Sequence, residues 1–304
     1  MRVVYRGDFD GTVCAAMLLE LDLCDELVQA HPTDIQNRKI AITNQDIICN
    51  LPHHPDCHMW FDHHSSEIAN ADFPTNFEGS ARITDSAAAL VYEYFEDELS
   101  FLGKYEDLVD DANLYDAAIL TLEQILNPTG NIMLAFLLDS RTSLGLAHDF
   151  TISNREWATK IPELMTMHTV DEILAMPDSI ERIEHYQAGF EASKRFYMEN
   201  SYLDGNVIVT DVRGKEIPVG NRFLLYTLPG LSTGNISVRI ADGHDDDVVS
   251  ITIGHSIFNK TSPIDVGILC KSYGGGGHTT AGACQPPADK AEATLRTIIM
   301  ACKG

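Results

Sequence analysis

One stretch limits the folds open to this chain more than any other. Residues 59–66 read Met-Trp-Phe-Asp-His-His-Ser-Ser, an apolar run that stops at the carboxylate of Asp62 and the imidazoles of His63 and His64. Such a run is typical of a buried strand in a parallel sheet, and open α/β folds bind ligands at the carboxyl ends of those strands. A solvated histidine-rich turn would have the same letters, so the interpretation depends on partners elsewhere in the chain.

Two further segments follow the same pattern of a strand that ends in acids. Residues 3–5 predict a strand, and the turn that follows contains Asp8 and Asp10 before a helix over 13–23. A helix N-cap accounts for one of these aspartates, whereas two at this spacing suit a hard cation such as Mn²⁺ or Mg²⁺. Residues 39–43 predict a second strand, which ends near Asp46. The repetition predicts an α/β fold with a doubly wound parallel sheet that carries acids along one edge.

Length and pattern predict a second domain behind the first. A chain of 304 residues with 44% hydrophobic residues can form two cores. We place the first domain at 1–190, including connecting helices, and a smaller α+β domain at 200–304. The second domain is predicted from strands over 207–210, 222–226, 236–240 and 248–253 and from a final helix over 287–302.

The charge balance restricts the partners of the chain. Lys and Arg number 21 against 45 Asp and Glu, which gives a net charge of -24. Such a surface repels a long polyanion, which argues against long duplex nucleic acid but leaves a small anionic substrate open. The seven cysteines contain no C-x-x-C pair, and no apolar run approaches the length of a membrane span. We therefore expect reduced thiols, a cytoplasmic location and no membrane contact.

Three further positions are candidates for a site. Asp116 follows Leu114-Tyr115 and is the best candidate for a fourth acid, with Asp111 as the alternative. Arg141 stands beside Thr142 and could contact a phosphate, because a guanidinium binds phosphate in a bidentate manner.

Four consecutive glycines precede His278 near the end of the chain. The residues Gly275, Gly276 and Gly277 belong to this run. Ordered proteins keep such runs where backbone approaches something closely or adopts positive φ, and exposed N–H groups suit a phosphate. A flexible loop is the alternative, but ordered-looking sequence continues beyond the run, which favours anion binding.

Together these motifs resemble the DHH-DHHA1 phosphoesterases, a group that includes nano-RNases, the exonuclease RecJ and, through the first domain, exopolyphosphatases. The shared features are Asp8-x-Asp10, an acid after a second strand, Asp62-His63-His64, a fourth acid and the C-terminal Gly-Gly-Gly-His. The resemblance covers nearly the whole chain and implies two lobes with an active-site cleft between them. It also implies two Mn²⁺ ions, with Mg²⁺ or Co²⁺ as alternatives, that activate water for attack on phosphorus.

The resemblance also assigns roles to individual residues. Asp8 would bind one ion and Asp10 the other, while Asp46 would bridge the two ions. His63 and Asp116 would complete the second site. His64 would contact the scissile phosphate or protonate the leaving oxygen, with Asp62 orienting an imidazole. The substrate's other phosphate or sugar would contact Arg239, Gly275, Gly276, Gly277 and His278.

Two positions depart from the family pattern. Val4 stands where the family usually has a histidine, so the first metal site lacks an imidazole. The bridging position could be Asn44 or Asp46, and we favour Asp46 because an amide bridges two cations poorly. The sequence thus predicts a metal-dependent phosphoesterase for small nucleotides or very short oligonucleotides. The alternatives are a polyphosphate or phosphoanhydride hydrolase and a catalytically weakened nucleotide-binding protein, and the oligomeric state, including a homodimer, is left open.

Overall fold

The structure, a computed structural model, describes residues 1–69, 72–100, 103–146, 149–243, 245 and 247–303, without the side chain of Ser66. The chain divides into two compact units, residues 1–186 and 187–304, which we describe separately. Among the described residues, none of the helices combines the length and the apolar composition that a membrane crossing needs.

The first unit is built on a parallel sheet, as predicted. Its five strands in the described part of the chain follow the order β2-β1-β3-β4-β5. They are β1 (Arg2–Arg6), β2 (Glu26–Ala30), β3 (Asp46–Cys49), β4 (Met59–Asp62) and β5 (Glu78–Ala81). Every residue of β3 and β4 is buried, as expected for central strands with both faces covered. The carboxyl ends of all five strands lie along one edge of the sheet.

Helices lie between the strands of the first unit and continue beyond its last strand. They are α1 (Phe9–Glu20), α2 (Pro32–Gln36), α3 (Ser65–Ile68), α4 (Ala87–Tyr94), α5 (Glu96–Leu99), α6 (Glu106–Asp116), α7 (Leu122–Leu126), α8 (Gly130–Leu138), α9 (Asn154–Met167), α10 (Val170–Leu174) and α11 (Pro177–Asn200), which continues into the second unit. The first ten residues of α1 are all buried, and eight of them are small or apolar, the exceptions being Asp10 and Thr12. Ser86 caps α4 by accepting from the N–H of Ala89, which fixes where that helix begins.

The predicted second strand is wrong. Residues 39–43 are not a strand, and the strand of this part of the chain is β3, Asp46–Cys49, which begins after them. Ile40 and Ile42 instead pack on an apolar cluster that includes Val4 and Trp60. A short β-branched run thus resembles a strand in sequence while it serves to cover the core. Strand β2 was not predicted. It lies at the edge of the sheet and is only partly buried, so its sequence lacks the apolar run of a central strand.

The second unit contains a mixed sheet with the order β10-β11-β9-β8-β7-β6. Its strands are β6 (Ser201–Asp204), β7 (Val207–Asp211), β8 (Ile236–Asp242), β9 (Val249–His255), β10 (Gly276–Gly277) and β11 (Ala281–Cys284). Strands β7 and β8 are parallel, while the other neighbours are antiparallel. Alternate residues of β8 and β9 are buried, and they share a core with α12 (Val266–Lys271) and α13 (Ala291–Lys303). The predicted second α+β domain is confirmed in its fold class.

One strand predicted in the second unit is wrong. Residues 222–226 lie in a 3₁₀ helix, Arg222–Thr227, whose N-cap Asn221 accepts from the N–H of Leu224. Four consecutive residues of this segment, 223–226, are buried, so it lacks the alternation of a half-exposed strand. The final helix also begins later than predicted, at Ala291.

A buried arginine joins α11 to the segment that precedes α9. The Arg182 side chain is fully buried and lies over the rings of Phe150 and Trp157, with its guanidinium carbon 4.4 Å and 4.9 Å from the ring centroids. Its three nitrogens donate to Asn154 Oδ1 at 2.9 Å, Asp178 O at 2.6 Å and Ile152 O at 2.8 Å. Burial lowers the pKa of this guanidinium. Hydrogen bonds to neutral oxygens thus compensate for the desolvated charge.

We expect Arg182→Met to destabilise the first unit by about 3 kcal/mol, because it removes the three hydrogen bonds that the fully buried guanidinium donates to Asn154, Asp178 and Ile152. The urea midpoint of the first-unit transition measures this loss. Arg155→Met, at an exposed arginine of α9 in the same unit, is the matched control and should change stability by less than about 0.5 kcal/mol. Equal midpoints for the two variants would contradict a structural role for Arg182.

Candidate metal centre

Polar side chains gather at the carboxyl edge of the first sheet. Strand β1 is followed by Asp8, β3 by Asn50 and β4 by His63, and the register of the parallel strands brings these three positions to the same edge. Asp10 lies in the first turn of α1, and Asp116 is the last residue of α6. This edge is where open α/β sheets bind ligands.

Asp10, His63 and Asp116 form one compact group of metal-ligand atoms. One ligand atom from each lies within 4.8 Å of the other two. The Nε2 atom of His63 is 3.6 Å from Asp10 Oδ2 and 3.2 Å from Asp116 Oδ2. In the part of the chain that the structure describes, no other group of three histidine, cysteine or acidic side chains meets this criterion. An imidazole with two carboxylates suits a divalent cation such as Mn²⁺ or Mg²⁺.

Backbone groups hold two of these side chains in position. The Nδ1–H of His63 donates to the carbonyl of Thr84 at 3.0 Å, so Nε2 is the nitrogen that faces the carboxylates. The Asp10 carboxylate accepts from the N–H groups of Ala87 at 2.9 Å and Ala88 at 2.7 Å, at the start of α4. A buried carboxylate at a helix N-terminus is favoured by the helix dipole. The geometry of the group is therefore set before any ligand binds.

The pKa values of the three groups reflect close packing of charged side chains. Burial raises the pKa of Asp10 to about 7, although the charge of His63 opposes the shift. Burial lowers the pKa of His63, but the hydrogen bond to Asp116 and the charge of Asp10 outweigh it and raise the value to about 10. Burial would raise the pKa of Asp116, yet His63 holds it well below its usual range. A proton on His63 thus provides positive charge at the position where a cation would bind.

Asp8 lies beside this group but has different partners. Its Oδ1 accepts from Gly11 N at 3.1 Å, as the cap of α1, and from Asn50 Nδ2 at 3.0 Å. Its Oδ2 pairs with the Nε of Arg6 at 2.8 Å. The charge of Asp8 is the largest cause of the raised pKa of Arg6, with smaller contributions from Asp116 and Asp10. Asp8 is therefore paired with a side-chain cation.

The second histidine of the motif connects a buried carboxylate to the same arginine. Asp62 is fully buried, and its Oδ1 accepts from Nδ1 of His64 at 2.8 Å. The Nε2 atom of His64 is 3.2 Å from Nη1 of Arg6. Because a guanidinium only donates, Nε2 accepts and Nδ1 carries the proton. Asp62 is thus hydrogen-bonded to His64, and its role in orienting an imidazole stays a prediction from the resemblance.

Asp46, favoured as the bridging acid, lies at the opposite edge of the sheet. It is the first residue of β3, opposite Arg2, and its carboxylate accepts from that arginine at 2.6 Å and 2.9 Å and from Thr43 N at 2.6 Å. The assignment of Asp46 as a metal ligand is wrong, because the strand begins rather than ends there. The alternative, Asn44, is an exposed residue of the same turn.

Of the two candidates for the fourth acid, the structure places Asp116 and not Asp111 against His63. Asp111 is half-buried and accepts from Asn131 Nδ2 at 2.9 Å. Arg141 lies in the 3₁₀ turn Ser140–Thr142, where its backbone N and its Nε donate to Asp139 at 2.9 Å and 2.6 Å. Burial opposes the raised pKa of Arg141, to which Asp139 and, less strongly, Asp116 contribute. Arg141 is thus a second cation close to the metal-ligand group.

The glycine run of the second unit forms a tight hairpin. Gly276 and Gly277 make up β10, and a Cβ on Gly275 would lie 2.0 Å from the carbonyl oxygen of Ala283. The N–H of Gly275 donates to Cys270 O, and that of His278 donates to Ala281 O at 2.7 Å. The expectation of close backbone approach is met within the protein itself. The N–H groups of Gly275 and His278 are committed to carbonyl groups in this structure, so they do not face a phosphate.

Arg239 belongs to the second unit as well. It lies in the middle of β8, opposite Thr210 and Thr252, on the face that alternates with the buried residues.

Two residues at the first-unit site were not predicted from the sequence. Asn50, buried and with φ at 56°, occupies the end of β3 where an acid was expected. Asparagine tolerates this left-handed conformation at a strand end. Arg6 is the last residue of β1. The signal for Asn50 was the end of β3, which a correct strand assignment would have supplied, and the signal for Arg6 was its place at the carboxyl end of β1.

Comparison with solved structures finds a relative for nearly the whole chain. Neither the protein-family models nor the curated proteins contain a match. Among solved structures, the chain is similar to the pGpG-specific phosphodiesterase PggH from Vibrio cholerae. The identity is 33% over 99% of this chain and 98% of that one, with a TM-score of 0.77.

More distant structures share the fold. RecJ from Thermus thermophilus in complex with Mn²⁺ is 14% identical, with 98% of this chain and 51% of that chain covered and a TM-score of 0.58. The DHH domain of a protein described as a member of a ribosomal protein family is 14% identical, with 100% and 87% covered and a TM-score of 0.55. These likenesses confirm the α/β fold with its second domain. Taken with the full-length identity to PggH and the Asp-His-His motif at the metal-ligand group, they show that the chain belongs to the DHH-family phosphoesterases, hydrolases of phosphate ester bonds.

Proposed function

We propose that this chain is a Mn²⁺-dependent phosphodiesterase that hydrolyses linear dinucleotides of the pGpG type to mononucleotides. The observation that carries the proposal is the Asp10-His63-Asp116 group in a chain that matches a pGpG-specific phosphodiesterase over its full length. Bulk charge agrees with a short substrate, because a chain of net charge -24 repels long polyanions.

The residues present fit a divalent cation. His63 offers Nε2 with its Nδ1–H fixed by Thr84, and two carboxylates lie within reach of the same point. A cation bound there supplies Lewis-acid chemistry, since it makes water more acidic and neutralises charge on phosphoryl oxygens. The net negative charge of Asp10 and Asp116 favours that cation once His63 has lost its proton.

We assign the handling of the leaving group's proton to His64. Its Nδ1–H donates to the fully buried carboxylate of Asp62, which fixes the orientation of the ring. Nε2 is therefore the nitrogen that would exchange a proton with the departing sugar oxygen. Arg6 lies against that nitrogen and Arg141 lies near Asp116, so both guanidinium groups are candidates to bind phosphoryl oxygens.

For the second unit we propose a role in binding the rest of the substrate. Arg239 is its candidate cation. The hairpin of Gly275, Gly276 and Gly277, with His278, is the candidate segment for binding the substrate's other phosphate or sugar. Because the N–H groups of Gly275 and His278 donate within the protein, we expect contact through side chains such as His278 rather than through an amide cradle.

The test is an assay of the purified chain with Mn²⁺ against pGpG, a linear adenine dinucleotide, a cyclic dinucleotide and polyphosphate. We expect pGpG to be hydrolysed to two mononucleotides with a kcat/KM at least roughly tenfold above that of the other compounds. Hydrolysis of polyphosphate in preference to every dinucleotide would instead support an exopolyphosphatase-like activity. Tight nucleotide binding without turnover would identify a binding protein and refute the proposal.

Metal affinity should depend on pH in a way that follows from the protonation of His63. Free of metal, His63 keeps its proton up to a pKa of about 10, and Mn²⁺ must displace that proton to reach Nε2. We therefore expect the apparent Mn²⁺ affinity to rise by about tenfold per pH unit between about pH 7 and pH 9, since one proton is released. Calorimetric titration in two buffers of different ionisation enthalpy counts the protons.

Below about pH 7 the dependence should become steeper, because Asp10, with a pKa of about 7, then also carries a proton that the ion must displace. A Mn²⁺ affinity independent of pH from about 6 to about 9 would contradict the assignment of His63 as a ligand.

A further inference from the structure

We propose that this chain has a one-ion centre, in which the guanidinium of Arg6 provides the positive charge that a second metal ion would otherwise carry. The inference rests on the proposed function for the identity of the reaction, but its central test counts ions and needs no substrate.

The carboxylate that the two-ion arrangement assigns to the first ion is already occupied. Asp8 accepts from Gly11 N, Asn50 Nδ2 and Arg6 Nε at distances of 3.1, 3.0 and 2.8 Å. Both of its oxygens thus have a partner, and one partner is a permanent cation. A divalent ion bound at Asp8 would have to displace that cation and then sit next to it, which Coulomb repulsion opposes.

Among the described residues, the other positions that the two-ion arrangement assigns to a first ion provide no charged ligand there. Asn50, at the end of β3, is an amide that donates to Asp8, so its conformation places a donor rather than a negative charge beside that carboxylate. Val4 is fully buried in an apolar cluster with Ile48 and Trp60 and offers no ligand atom. Asp46 is bound to Arg2 at the other edge of the sheet. Among the described residues, the remaining ligand set is Asp10, His63 and Asp116.

Arg6 lies where its guanidinium can take the place of the second metal ion of the two-ion arrangement. It pairs with Asp8 and contacts Nε2 of His64 at 3.2 Å, and the carboxylates of Asp116 and Asp10 contribute to its raised pKa. Its side chain remains about one third accessible to solvent, at 32%. A guanidinium stays charged at all relevant pH values and binds phosphoryl oxygens through paired donors. One metal ion and one fixed cation would thus share the charge of the phosphate.

The first experiment is a metal count on the purified, substrate-free protein. Equilibrium dialysis against Mn²⁺ should give one bound ion per chain, and electron paramagnetic resonance should show isolated Mn²⁺ rather than an exchange-coupled pair. His63→Ala should remove that ion. Two ions per chain, or the spectrum of a coupled pair, would overturn the proposal.

A double variant tests what excludes the second ion. Arg6→Ser together with Asn50→Asp frees Asp8 and adds a second carboxylate at the end of β3. We expect this variant to bind a second, weaker Mn²⁺ ion. A count that stays at one in a folded double variant would show that Arg6 and Asn50 do not exclude the second ion, and it would refute the inference.

Single variants test the role of Arg6 itself. Arg6→Met should lower kcat by roughly 10²- to 10³-fold, because a preorganised cation at the phosphate is lost. The same change should tighten Mn²⁺ binding by roughly three- to tenfold, since it removes a positive charge near the ion. Arg6→Lys should lie between the wild type and Arg6→Met in kcat, because it keeps the charge without the planar fork.

The matched control is Arg155→Met, an exposed arginine of α9, which should leave both quantities unchanged. Weaker Mn²⁺ binding in Arg6→Met, or an unchanged kcat, would contradict the assigned role. The outcomes separate the two proposals: two ions with hydrolysis of pGpG would refute only the one-ion centre, whereas one ion without hydrolysis of any dinucleotide would refute only the proposed substrate.

Discussion

His63→Ala is expected to lower kcat/KM for the preferred dinucleotide by several orders of magnitude. The substitution removes Nε2, the nitrogen that faces both Asp10 and Asp116. The two carboxylates then lack the partner that holds the pKa of Asp116 low, and a cation loses its imidazole ligand. Because metal catalysis supplies several kcal/mol, we expect a loss of roughly 10³- to 10⁴-fold. Initial rates at saturating Mn²⁺, with bound metal measured in parallel, give the result.

His58→Ala is the control for that experiment. His58 is exposed and precedes the same strand, β4, at the end remote from the metal-ligand group. It should keep wild-type activity and metal content. If His63→Ala hydrolysed the dinucleotide as fast as the parent, the assignment of the site would be wrong.

Gly11→Ala is expected to damage both stability and activity, although it adds a single methyl group. A Cβ on Gly11 would lie 2.1 Å from the carbonyl oxygen of Arg6, so α1 would have to move away from the end of β1. That movement displaces Asp8 and Asp10, which lie just before this glycine in the chain. We expect a destabilisation of about 3 kcal/mol and a loss of kcat of roughly 100-fold, since a displacement of about 1 Å suffices for that.

Gly145→Ala provides the comparison, because a Cβ there would meet no atom closer than Asn154 Nδ2 at 3.8 Å. Urea unfolding and initial rates of the two variants should therefore differ clearly. Equal stability of the two would show that the contact between α1 and β1 can relax without cost.

The polar site at the carboxyl edge of the first sheet could largely be predicted, because the residue patterns that mark it are local in sequence. The apolar run before Asp62 marks a buried strand, and the pairing of a strand with the turn of Asp8 and Asp10 places both acids at its carboxyl end. Asp116 was selected over Asp111 from its apolar neighbours in the sequence, and the structure places it against His63. These inferences depend only on the alternation of strand and helix in a parallel sheet.

The prediction of the bridging position failed because it depends on register, which is not local. Moving the strand from 39–43 to β3 exchanges the end of a strand for its start and transfers Asp46 to the far edge. Asp46 is tolerated in a buried strand through its contact with Arg2, a pairing across 44 residues that spacing does not reveal. In the second unit, the prediction for the 3₁₀ segment Arg222–Thr227 failed for a related reason, since buried irregular structure has no periodic pattern.

The three residues of the metal-ligand group come from α1, the end of β4 and the end of α6, which are remote in sequence. An unfolded chain cannot bring them together, so an ion that binds them binds the native state alone. The supply of that ion would then affect the lifetime of the protein as well as its turnover. At a free ion concentration about 100 times Kd, mass action adds about 2.7 kcal/mol to the free energy of unfolding of the first unit. A cell that withdraws this divalent ion would thus lose the activity first and afterwards, through degradation, the protein itself.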